Sequence, residues 1–395
     1  MRRSYKYCLS PNKATTEKLQ WVLDRCREVY NAGLSERRDA WTYEQKSISY
    51  YDQQNDLPEI KAEIRPEYQE IAAHVLQDVL RRLDKAYQGF FRRCKAGKKP
   101  GHPRFLGCNR YTSFTYPDKA GWKLDGNRLH LSKIGIVKVK LHRPIEGTIK
   151  TVTIKREGDE WFCIFSCEVQ VCPHLPYTDL AIGVDLGVSK LATFSDGDVI
   201  ENPKHYRRAE KKLATLQQAL SRKKRGSHRR KKAVRAVAKA HRKVRRQRAD
   251  YLHKHSRWLV DTYEVIVFEA IQPANLSRRA RPKQDAETGA YLPNGATAKS
   301  GLNKSIMNAG WSTFLAMCEV KAAWAGHVQV IKVDPYGTSQ VCSGCGAVVK
   351  KELSERWHSC SCGFSLDRDQ NAARNILARG LQQLSGGTRP TLVTA

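Results

Sequence analysis

Apolar positions in the first hundred residues recur at helical spacing. Between Ala14 and Trp41, and again between Ile71 and Phe91, an apolar side chain returns every three or four residues, which predicts two long amphipathic helices. The segment that follows, CKAGKKPGHPRF, is rich in Lys, Gly and Pro and predicts a basic loop. We therefore predict a helical lobe over residues 11–101.

From Trp122 to Val171 the pattern changes to an alternation of apolar and polar residues. The segments GIVKVKL, TIKTVTI and WFCIFSCEV carry this alternation, which is typical of strands with one buried face. We predict a small barrel or sheet over residues 102–178, with residues 1–10 as a further strand. If SYKYCL pairs with these strands, the helical lobe is an insertion into the sheet; otherwise it lies beside it. The sequence leaves both arrangements open.

The pattern changes again at Asp179, where DLAIGVDLGVSKLATFSDGDVI predicts a buried strand and two further strands joined by a Ser-Asp-Gly-Asp turn. The segments YEVIVFEAI and HVQVIKVD predict two more strands, and a last helix begins near Asp369. We predict an α/β domain over residues 179–335 and 365–384, so the fold class is multidomain α+β. The polar tail, residues 385–395, is predicted to be disordered.

The charge balance points to a polyanionic partner. The chain has 70 Lys and Arg against 39 Asp and Glu, a formal net charge of +31, far more than solubility requires. Nucleic acid is the leading partner and an anionic membrane surface the alternative. No apolar run is long enough to span a membrane, and MRRSYKYCLS lacks the apolar core of a signal peptide. We therefore expect an intracellular, cytoplasmic protein.

Residues 207–257 concentrate this charge, with 21 Lys and Arg against two acids, and Gly226 divides them into a predicted helical hairpin. A short charge run is usually a solvated helix face, but this one is long enough to neutralise several phosphates. The candidate nucleic-acid contacts in the hairpin and the N-terminal half are Tyr51, Gln77, Arg104, Tyr111, Thr112, Arg222, Lys223, Arg229 and Arg230.

Three carboxylates are candidates for catalysis. Asp185 lies within the apolar run AIGVDLGV, Glu269 lies at the end of EVIVFEA, and Asp369 lies at the start of the last helix. A charge in a buried strand costs several kcal/mol unless a metal ion offsets it. Together the three could hold two Mg²⁺ ions roughly 4 Å apart, which is the arrangement that cleaves phosphodiesters.

Each acid also has an ordinary structural explanation. An Asp before a helix is commonly an N-cap, and a Glu at a strand end is commonly solvated or paired with Arg. Asp367, two residues before Asp369, is the better capping candidate. For Asp185, which is flanked by apolar residues, burial favours the functional interpretation.

The chain has twelve cysteines, and four of them form a late cluster: Cys342, Cys345, Cys360 and Cys362. A C-x-x-C pair followed by a second cysteine pair predicts a tetrahedral structural Zn²⁺ site over residues 336–364. The second pair is C-x-C, so His358 is a possible substitute ligand, and a redox disulfide is the alternative to zinc. We expect the zinc module to fix how the helix carrying Asp369 enters the site. The scattered cysteines are predicted to be reduced core residues.

These motifs resemble the TnpB family of transposon-encoded, RNA-guided nucleases, which are related to type V CRISPR effectors. The resemblance is carried by GVDLGVSKLATFSDG, VIVFEAIQPANLSRR, VDPYGTSQVCSGCG and CGFSLDRDQNAARNIL, and by NKATTEKLQWVLDRCREVYNAGL and GKKPGHPRF near the N-terminus. It spans nearly the whole chain. The departure from the family pattern is the C-x-C pair.

The resemblance implies an RNase H-like (RuvC) nuclease domain with an inserted zinc ribbon, a wedge-like β-barrel and a helical recognition lobe. It also implies a guide RNA from the transposon end and Mg²⁺-dependent cleavage of double-stranded DNA beside a short target-adjacent motif, with no membrane and no small-molecule substrate. In such enzymes base pairing reads the sequence. The alternatives are a nucleic-acid-binding regulator without cleavage and an unguided RNase H-like transposase.

Overall fold

A computed structural model describes residues 1–108, 110–170, 178–352, 355–385 and 393–394. It divides into two compact units, residues 1–170 and 171–395. None of the helices in these described ranges is both long and apolar enough to cross a membrane.

Unit 1 combines one antiparallel sheet with a group of helices. Its strands are β1 (Arg2–Ser10), β2 (Ser113–Tyr116), β3 (Trp122–Asp125), β4 (Arg128–Leu131), β5 (Gly135–Lys140), β6 (Thr148–Glu157) and β7 (Glu160–Glu168). Its α-helices are α1 (Lys13–Glu44), α2 (Tyr50–Asn55), α3 (Leu57–Glu59) and α4 (Ala73–Lys95). A π-helical turn (Ile60–Ile64) and two 3-10 turns (Pro66–Glu70 and Lys119–Gly121) complete it.

The first strand decides how the helices relate to the sheet. The strand order is β2-β6-β7-β1-β5-β4-β3, so β1 lies in the interior of the sheet and pairs with β7 and β5. The helices between β1 and β2 are therefore an insertion into the sheet, one of the two arrangements the sequence left open. Residues Leu19 and Val22 of α1 and Val75 of α4 share one apolar core with the sheet.

The sheet is strongly curled. A flat seven-stranded sheet would hold its outer strands about 29 Å apart, because neighbouring strands lie about 4.8 Å apart. The five residues between Tyr116 of β2 and Trp122 of β3 span at most about 22 Å. The Tyr116 hydroxyl donates to the Ser132 carbonyl (2.9 Å), linking the two ends. Within the described residues β2 and β3 do not pair, so the predicted barrel is an open, curled sheet.

Unit 2 has ten strands in its described part: β8 (Leu180–Leu186), β9 (Lys190–Phe194), β10 (Val199–Glu201), β11 (Val265–Glu269), β12 (Lys283–Gln284), β13 (Tyr291–Leu292), β14 (Gln329–Val333), β15 (Trp357–Ser359), β16 (Ser365–Asp367) and β17 (Val393–Thr394). Its helices are α5 (His205–Ser221), α6 (His228–Thr262), α7 (Pro273–Leu276), α8 (Ala296–Ala309), α9 (Trp311–Ala325) and α10 (Arg368–Ser385).

The main sheet of unit 2 has the order β10-β9-β8-β11-β14. The first three strands form an antiparallel meander, and β11 and β14 continue the sheet in parallel. Strand β17 also pairs with β8 in parallel, which corrects the predicted disorder of the tail at residues 393–394. The tail's residues 386–392 and 395 lie outside the described residues.

Helix α10 lies unusually close to the sheet. A Cβ on Gly183 of β8 would be 2.1 Å from the Ala373 carbonyl oxygen of α10, and a Cβ on Gly380 would be 2.4 Å from a Val267 methyl group of β11. Only glycine permits these two approaches. The helix is thereby held against β8 and β11, the two strands that carry candidate catalytic acids at or near their carboxyl ends.

Candidate metal centres

Strand register brings the first two acids together. Val184 of β8 pairs with Phe268 of the parallel strand β11, so Asp185 and Glu269 follow side by side at the carboxyl ends of neighbouring strands. In parallel sheets this edge is where ligand-binding groups collect.

Burial and mutual repulsion make Asp185 a strong base for a carboxylate. Burial, together with the negative charges of Glu269 and Asp369, raises the pKa of Asp185 to about 8, while Arg368 opposes this rise. Burial also raises the pKa of Glu269, against the lowering effects of the Thr338 hydrogen bond and Arg379. Ionised, these groups require a compensating positive charge.

The helix start assigns separate roles to the two neighbouring aspartates. The Asp367 carboxylate accepts hydrogen bonds from the backbone N–H groups of Asp369 (2.9 Å) and Gln370 (3.2 Å), so Asp367 is the cap, as predicted. Asp369 is left out of the capping interaction. Its oxygens lie 3.5 Å from Arg368 Nε and 4.0 Å from Arg356 Nη1.

This donor set fits a hard divalent cation. All three groups are carboxylates, the ligand class that Mg²⁺ prefers, and a cation would offset the repulsion that raises the pKa of Asp185. Among the described residues, the cysteines are the group of three or more metal-ligating side chains whose donor atoms all lie within 4.8 Å of one another. The three carboxylates are electrostatically coupled through the effect of Glu269 and Asp369 on the pKa of Asp185.

The four predicted cysteines meet at one point. Their sulfur atoms all lie within 4.8 Å of one another, with Cys342 Sγ 3.8 Å from Cys362 Sγ and Cys345 Sγ 3.6 Å from Cys360 Sγ. Tetrahedral zinc with bonds of about 2.3 Å holds its sulfurs about 3.8 Å apart. None of these cysteines is in a disulfide. The arrangement fits a structural Zn²⁺ ion.

His358 is not part of this group. Its ring is fully buried, its Nδ1 contacts the Lys351 ammonium group, and it packs against Phe364 with ring centroids 6.3 Å apart. In the described structure the four sulfurs complete the site without it. Both cysteines of the C-x-C pair, Cys360 and Cys362, therefore belong to the cluster.

Polar side chains on α10 join the cysteine module to the carboxylates. Asn371 accepts from the backbone N–H of Ser343 (2.9 Å) and donates to the Val341 carbonyl (2.8 Å). Asn375 donates to the carbonyls of Thr338 (2.8 Å) and Val341 (2.7 Å). These contacts tie the module to the helix that carries Asp369.

Two further residues extend the connection to Glu269. Arg379 donates to the carbonyls of Asp334 and Tyr336, and the Thr338 hydroxyl donates to Glu269. Sequence reasoning missed these contributors. A signal was present: positions 371, 375 and 379 are polar and four residues apart, which places them on one face of a helix.

The predicted nucleic-acid contacts of unit 1 differ in exposure. Tyr51 is 70% exposed, Arg104 is exposed, and Gln77 and Thr112 are partly exposed. For Tyr111 the predicted nucleic-acid contact was wrong. Tyr111 is a core residue, 6% exposed, whose ring centroid lies 6.0 Å from that of Tyr30. Burial raises the pKa of its hydroxyl. The aromatic, polar run around it therefore supplies packing as well as surface.

The basic hairpin forms as predicted, from α5 and α6 with a turn through Gly226 (φ +85°). Arg222, Lys223 and Arg229 are exposed near the turn. Arg230 instead has a structural role, because its Nη1 donates to the carbonyls of Leu220 (3.1 Å) and Lys223 (3.0 Å) and so caps the end of α5.

Three family models match the chain. One described as "Probable transposase" matches residues 164–280, which include Asp185 and Glu269. One described as "Cas12f1-like, TNB domain" matches residues 311–376, which include the four cysteines and Asp369. One described as "Helix-turn-helix domain" matches residues 1–46, where the structure has β1 and the single helix α1.

Relatives match over nearly the full length. A Streptomyces pristinaespiralis protein named "Putative RNA-guided DNA endonuclease" is 34% identical over 99% of this chain and 92% of its own length. An Escherichia coli protein named "Putative RNA-guided DNA endonuclease InsQ" is 32% identical over 98% of this chain and 94% of its own. A mimivirus protein named as TnpB-like is 26% identical over 62% of this chain and 46% of its own.

The fold is similar to a solved complex, the "Cryo-EM structure of the Cas12f1-sgRNA-target DNA complex", with a TM-score of 0.56 at 13% identity over 92% of this chain and 83% of that one. The chain belongs to the TnpB family.

Proposed function

We propose that this protein is the RNA-guided DNA endonuclease of a transposable element. The observation that carries the proposal is the placement of Asp185 and Glu269 at adjacent strand ends, where burial and neighbouring negative charge raise the pKa of Asp185 to about 8. Such a buried acidic pair is characteristic of metal-dependent phosphodiester cleavage. The names of the full-length relatives support the guided activity.

In this proposal, unit 2 is a RuvC-type nuclease with an RNase H-like sheet. Support comes from its meander of three antiparallel strands extended by two parallel ones. We assign residues 179–335 and 365–384 to the nuclease domain and residues 336–364 to a zinc ribbon that contacts target nucleic acid. Residues 1–10 and 102–178 form a wedge-like domain, and residues 11–101 form the recognition lobe.

Asp185, Glu269 and Asp369 would hold two Mg²⁺ ions, whose chemistry would be to activate a water and to stabilise the leaving oxygen. The chain's own residues set the geometry: Asp367 caps α10 so that Asp369 remains available, and Thr338 fixes one oxygen of Glu269. The four cysteines would hold one structural Zn²⁺, and Asn371 and Asn375 tie the cysteine module to the start of α10.

The partners are a guide RNA from the transposon end and double-stranded target DNA beside a short motif. Guide pairing selects the sequence, and the protein holds the heteroduplex by its backbone. The exposed cations of the hairpin suit such backbone contacts. We place the reaction in the cytoplasm, where DNA is accessible and reducing conditions keep the zinc thiols free.

Plasmid cleavage tests the proposal. The full chain, purified with its co-purified RNA, is incubated with Mg²⁺ and plasmids that match the sequenced guide or not. We expect cutting of the matched plasmid, loss after RNase treatment, and at least roughly a hundredfold loss in Asp185→Ala. Asp261→Ala, an exposed acid paired with Arg257, is the matched control and should cut normally.

Two outcomes would contradict the proposal. Cutting that survives RNase treatment indicates an unguided enzyme. Absence of cutting in both the parent protein and Asp185→Ala, with nucleic-acid binding intact, indicates a regulator.

A further inference from the structure

Exposed aromatic rings and cations occur together in residues 91–105, at and after the end of α4, with Trp41 near the end of α1. The aromatic-basic patch comprises Trp41, Phe91, Phe105, Arg92, Arg93, Lys95, Lys98, Lys99 and Arg104. The three rings are 58%, 54% and 47% exposed, and residues 90–110 contain no Asp or Glu. Single exposed apolar residues are ordinary. Three large exposed rings, two of them in a segment with cations and no acids, require an explanation.

The Phe91 ring rests on a rigid base. It stacks on Tyr87 with ring centroids 6.2 Å apart and meets Phe90 at 5.2 Å. The His102 ring packs edge-on against Tyr87 (5.5 Å) and Phe90 (5.1 Å). Arg93 donates to the Gly101 carbonyl (3.2 Å), so the basic segment after α4 folds back onto the helix.

The segment around Phe105 is anchored to α1. Asn31 exchanges two hydrogen bonds with the backbone of Leu106, at 2.9 and 3.0 Å. The Arg38 guanidinium lies over the Phe105 ring, 5.2 Å from its centroid. Trp41 lies three residues after Arg38, and therefore on the same face of α1. The Phe91 and Phe105 rings are therefore held in place before any ligand arrives.

Cations alone would suffice for the phosphates of a duplex, whose bases are already stacked on one another. Exposed aromatic rings suit a ligand that presents free base faces, and each base stacked on a protein ring contributes about 1–3 kcal/mol. We propose that the aromatic-basic patch binds unpaired nucleotides, with bases on Phe91, Phe105 and Trp41 and phosphates on the surrounding Lys and Arg.

The unpaired strand comes either from guide RNA or from displaced DNA, and only this choice of source rests on the proposed function. Binding itself does not require cleavage. The test therefore uses the full chain carrying Asp185→Ala, freed of co-purified RNA, and labelled oligonucleotides of about 12 nucleotides. Fluorescence anisotropy compares single-stranded RNA, single-stranded DNA and a DNA duplex of the same sequence.

The double variant Phe91→Ala with Phe105→Ala should bind the single strands at least tenfold more weakly and the duplex within twofold of the parent. Phe91→Tyr with Phe105→Tyr keeps the rings and should restore binding. Tyr291→Ala, which removes a 74% exposed ring of unit 2, is the matched control and should change nothing. Whichever single strand binds the parent protein more tightly, RNA or DNA, identifies the source of the unpaired nucleotides.

Stacking also has a spectroscopic signature. Single strands should quench the fluorescence of the exposed Trp41, and Trp41→Phe should lose this quenching while keeping affinity. An equal loss of single-strand and duplex binding in the double variant, with an unchanged melting temperature, would overturn the proposal, as would unchanged affinities. If the patch binds single strands but the protein does not cut DNA, only the proposed function fails.

Discussion

The Thr338 hydroxyl donates a 2.5 Å hydrogen bond to Oε1 of Glu269, and the Thr338 carbonyl accepts one from Asn375 on α10. Thr338 is buried, and it lies four residues before Cys342, the first cysteine of the cluster. One residue therefore contacts both the candidate catalytic acid of β11 and the helix that carries Asp369. This contact relates the zinc module directly to the carboxylates.

Loss of the Thr338 hydroxyl should shift the pH dependence of cleavage. The hydrogen bond lowers the pKa of Glu269 against the raising effect of burial. In Thr338→Val the pKa of Glu269 rises, so the ionised form is lost at a higher pH and the acid limb of the rate profile moves to higher pH. We expect about tenfold slower cleavage at neutral pH. Thr338→Ser should retain the parent profile; an unshifted limb in Thr338→Val would contradict the role.

Neutralising Asp185 should stabilise the fold most at high pH. The folded state keeps its proton up to about pH 8, whereas the unfolded chain releases it near pH 4. The folded state therefore binds more protons between these values, and its stability falls as pH rises through them. Asp185→Asn avoids this loss, which is on the order of 3 kcal/mol between pH 5 and pH 8.

Thermal unfolding in Mg²⁺-free buffer at both pH values measures this effect. The melting temperature of Asp185→Asn should exceed that of the parent more at pH 8 than at pH 5. Asp261→Asn, an exposed acid, should show no such difference. An equal gain at both pH values would show that Asp185 is not the titrating group.

Cys342→Ser should release zinc and impair cleavage together. Three thiols remain, but the contacts of Val341 and Ser343 with Asn371 depend on the local fold that the four sulfurs close. We expect bound zinc, measured by elemental analysis, to fall from about one ion per chain to near zero, and cleavage to fall at least roughly tenfold. Cys108→Ser, an exposed thiol of unit 1, should leave both unchanged. Full activity without zinc would refute the coupling.

Gly380→Ala should destabilise unit 2 because its Cβ would lie 2.4 Å from Val267 on β11. The expected cost in the free energy of unfolding is about 1–3 kcal/mol. Gly301→Ala in α8 is a suitable control, since its nearest neighbour would be Arg207 Nη2 at 4.0 Å. Alanine there favours the helix. Denaturant unfolding measures the stability of Gly380→Ala and Gly301→Ala. Equal stability of the two variants would disprove the close approach of α10 to β11.

Alanine substitutions of Arg229 and Arg230 should have different effects on stability and on nucleic-acid binding. Arg230→Ala removes the cap of α5 and should lower stability by about 1 kcal/mol. Arg229→Ala removes an exposed cation and should weaken nucleic-acid binding uniformly, reducing the salt slope by about one. Melting temperatures and binding titrations at several salt concentrations test both expectations. A reduced slope in Arg230→Ala with unchanged stability would reverse the assignment.

The sequence predicts what local patterns and strand adjacency determine. The apolar runs around Asp185 and Glu269 predict two strands, and their parallel pairing places both acids at one edge. The spacing of the cysteines predicts a shared ion, and their sulfurs meet. The choice of Asp367 over Asp369 as the cap follows from position alone, because a cap precedes its helix.

Other features depend on contacts that no local pattern contains. Tyr111 is buried because it packs on Tyr30, a residue distant in sequence. Arg230 belongs to a run of cations that look equivalent until the turn brings one of them to the end of α5. Whether β1 joins the sheet depends on its hydrogen bonds to β7, a strand that begins 158 residues after β1 does (160 − 2).

The distribution of the acids along the chain also bears on protein synthesis. Asp185 and Asp369 are separated by 184 residues (369 − 185), and unit 1 precedes both of them. Domains generally fold from the N-terminus as the chain emerges from the ribosome. Unit 1 and its aromatic-basic patch are therefore synthesised while the proposed nuclease still lacks Asp369, its third acid. If the proposed function and the proposed patch are correct, a growing chain that has not yet reached Asp369 holds nucleic acid before it can cut it.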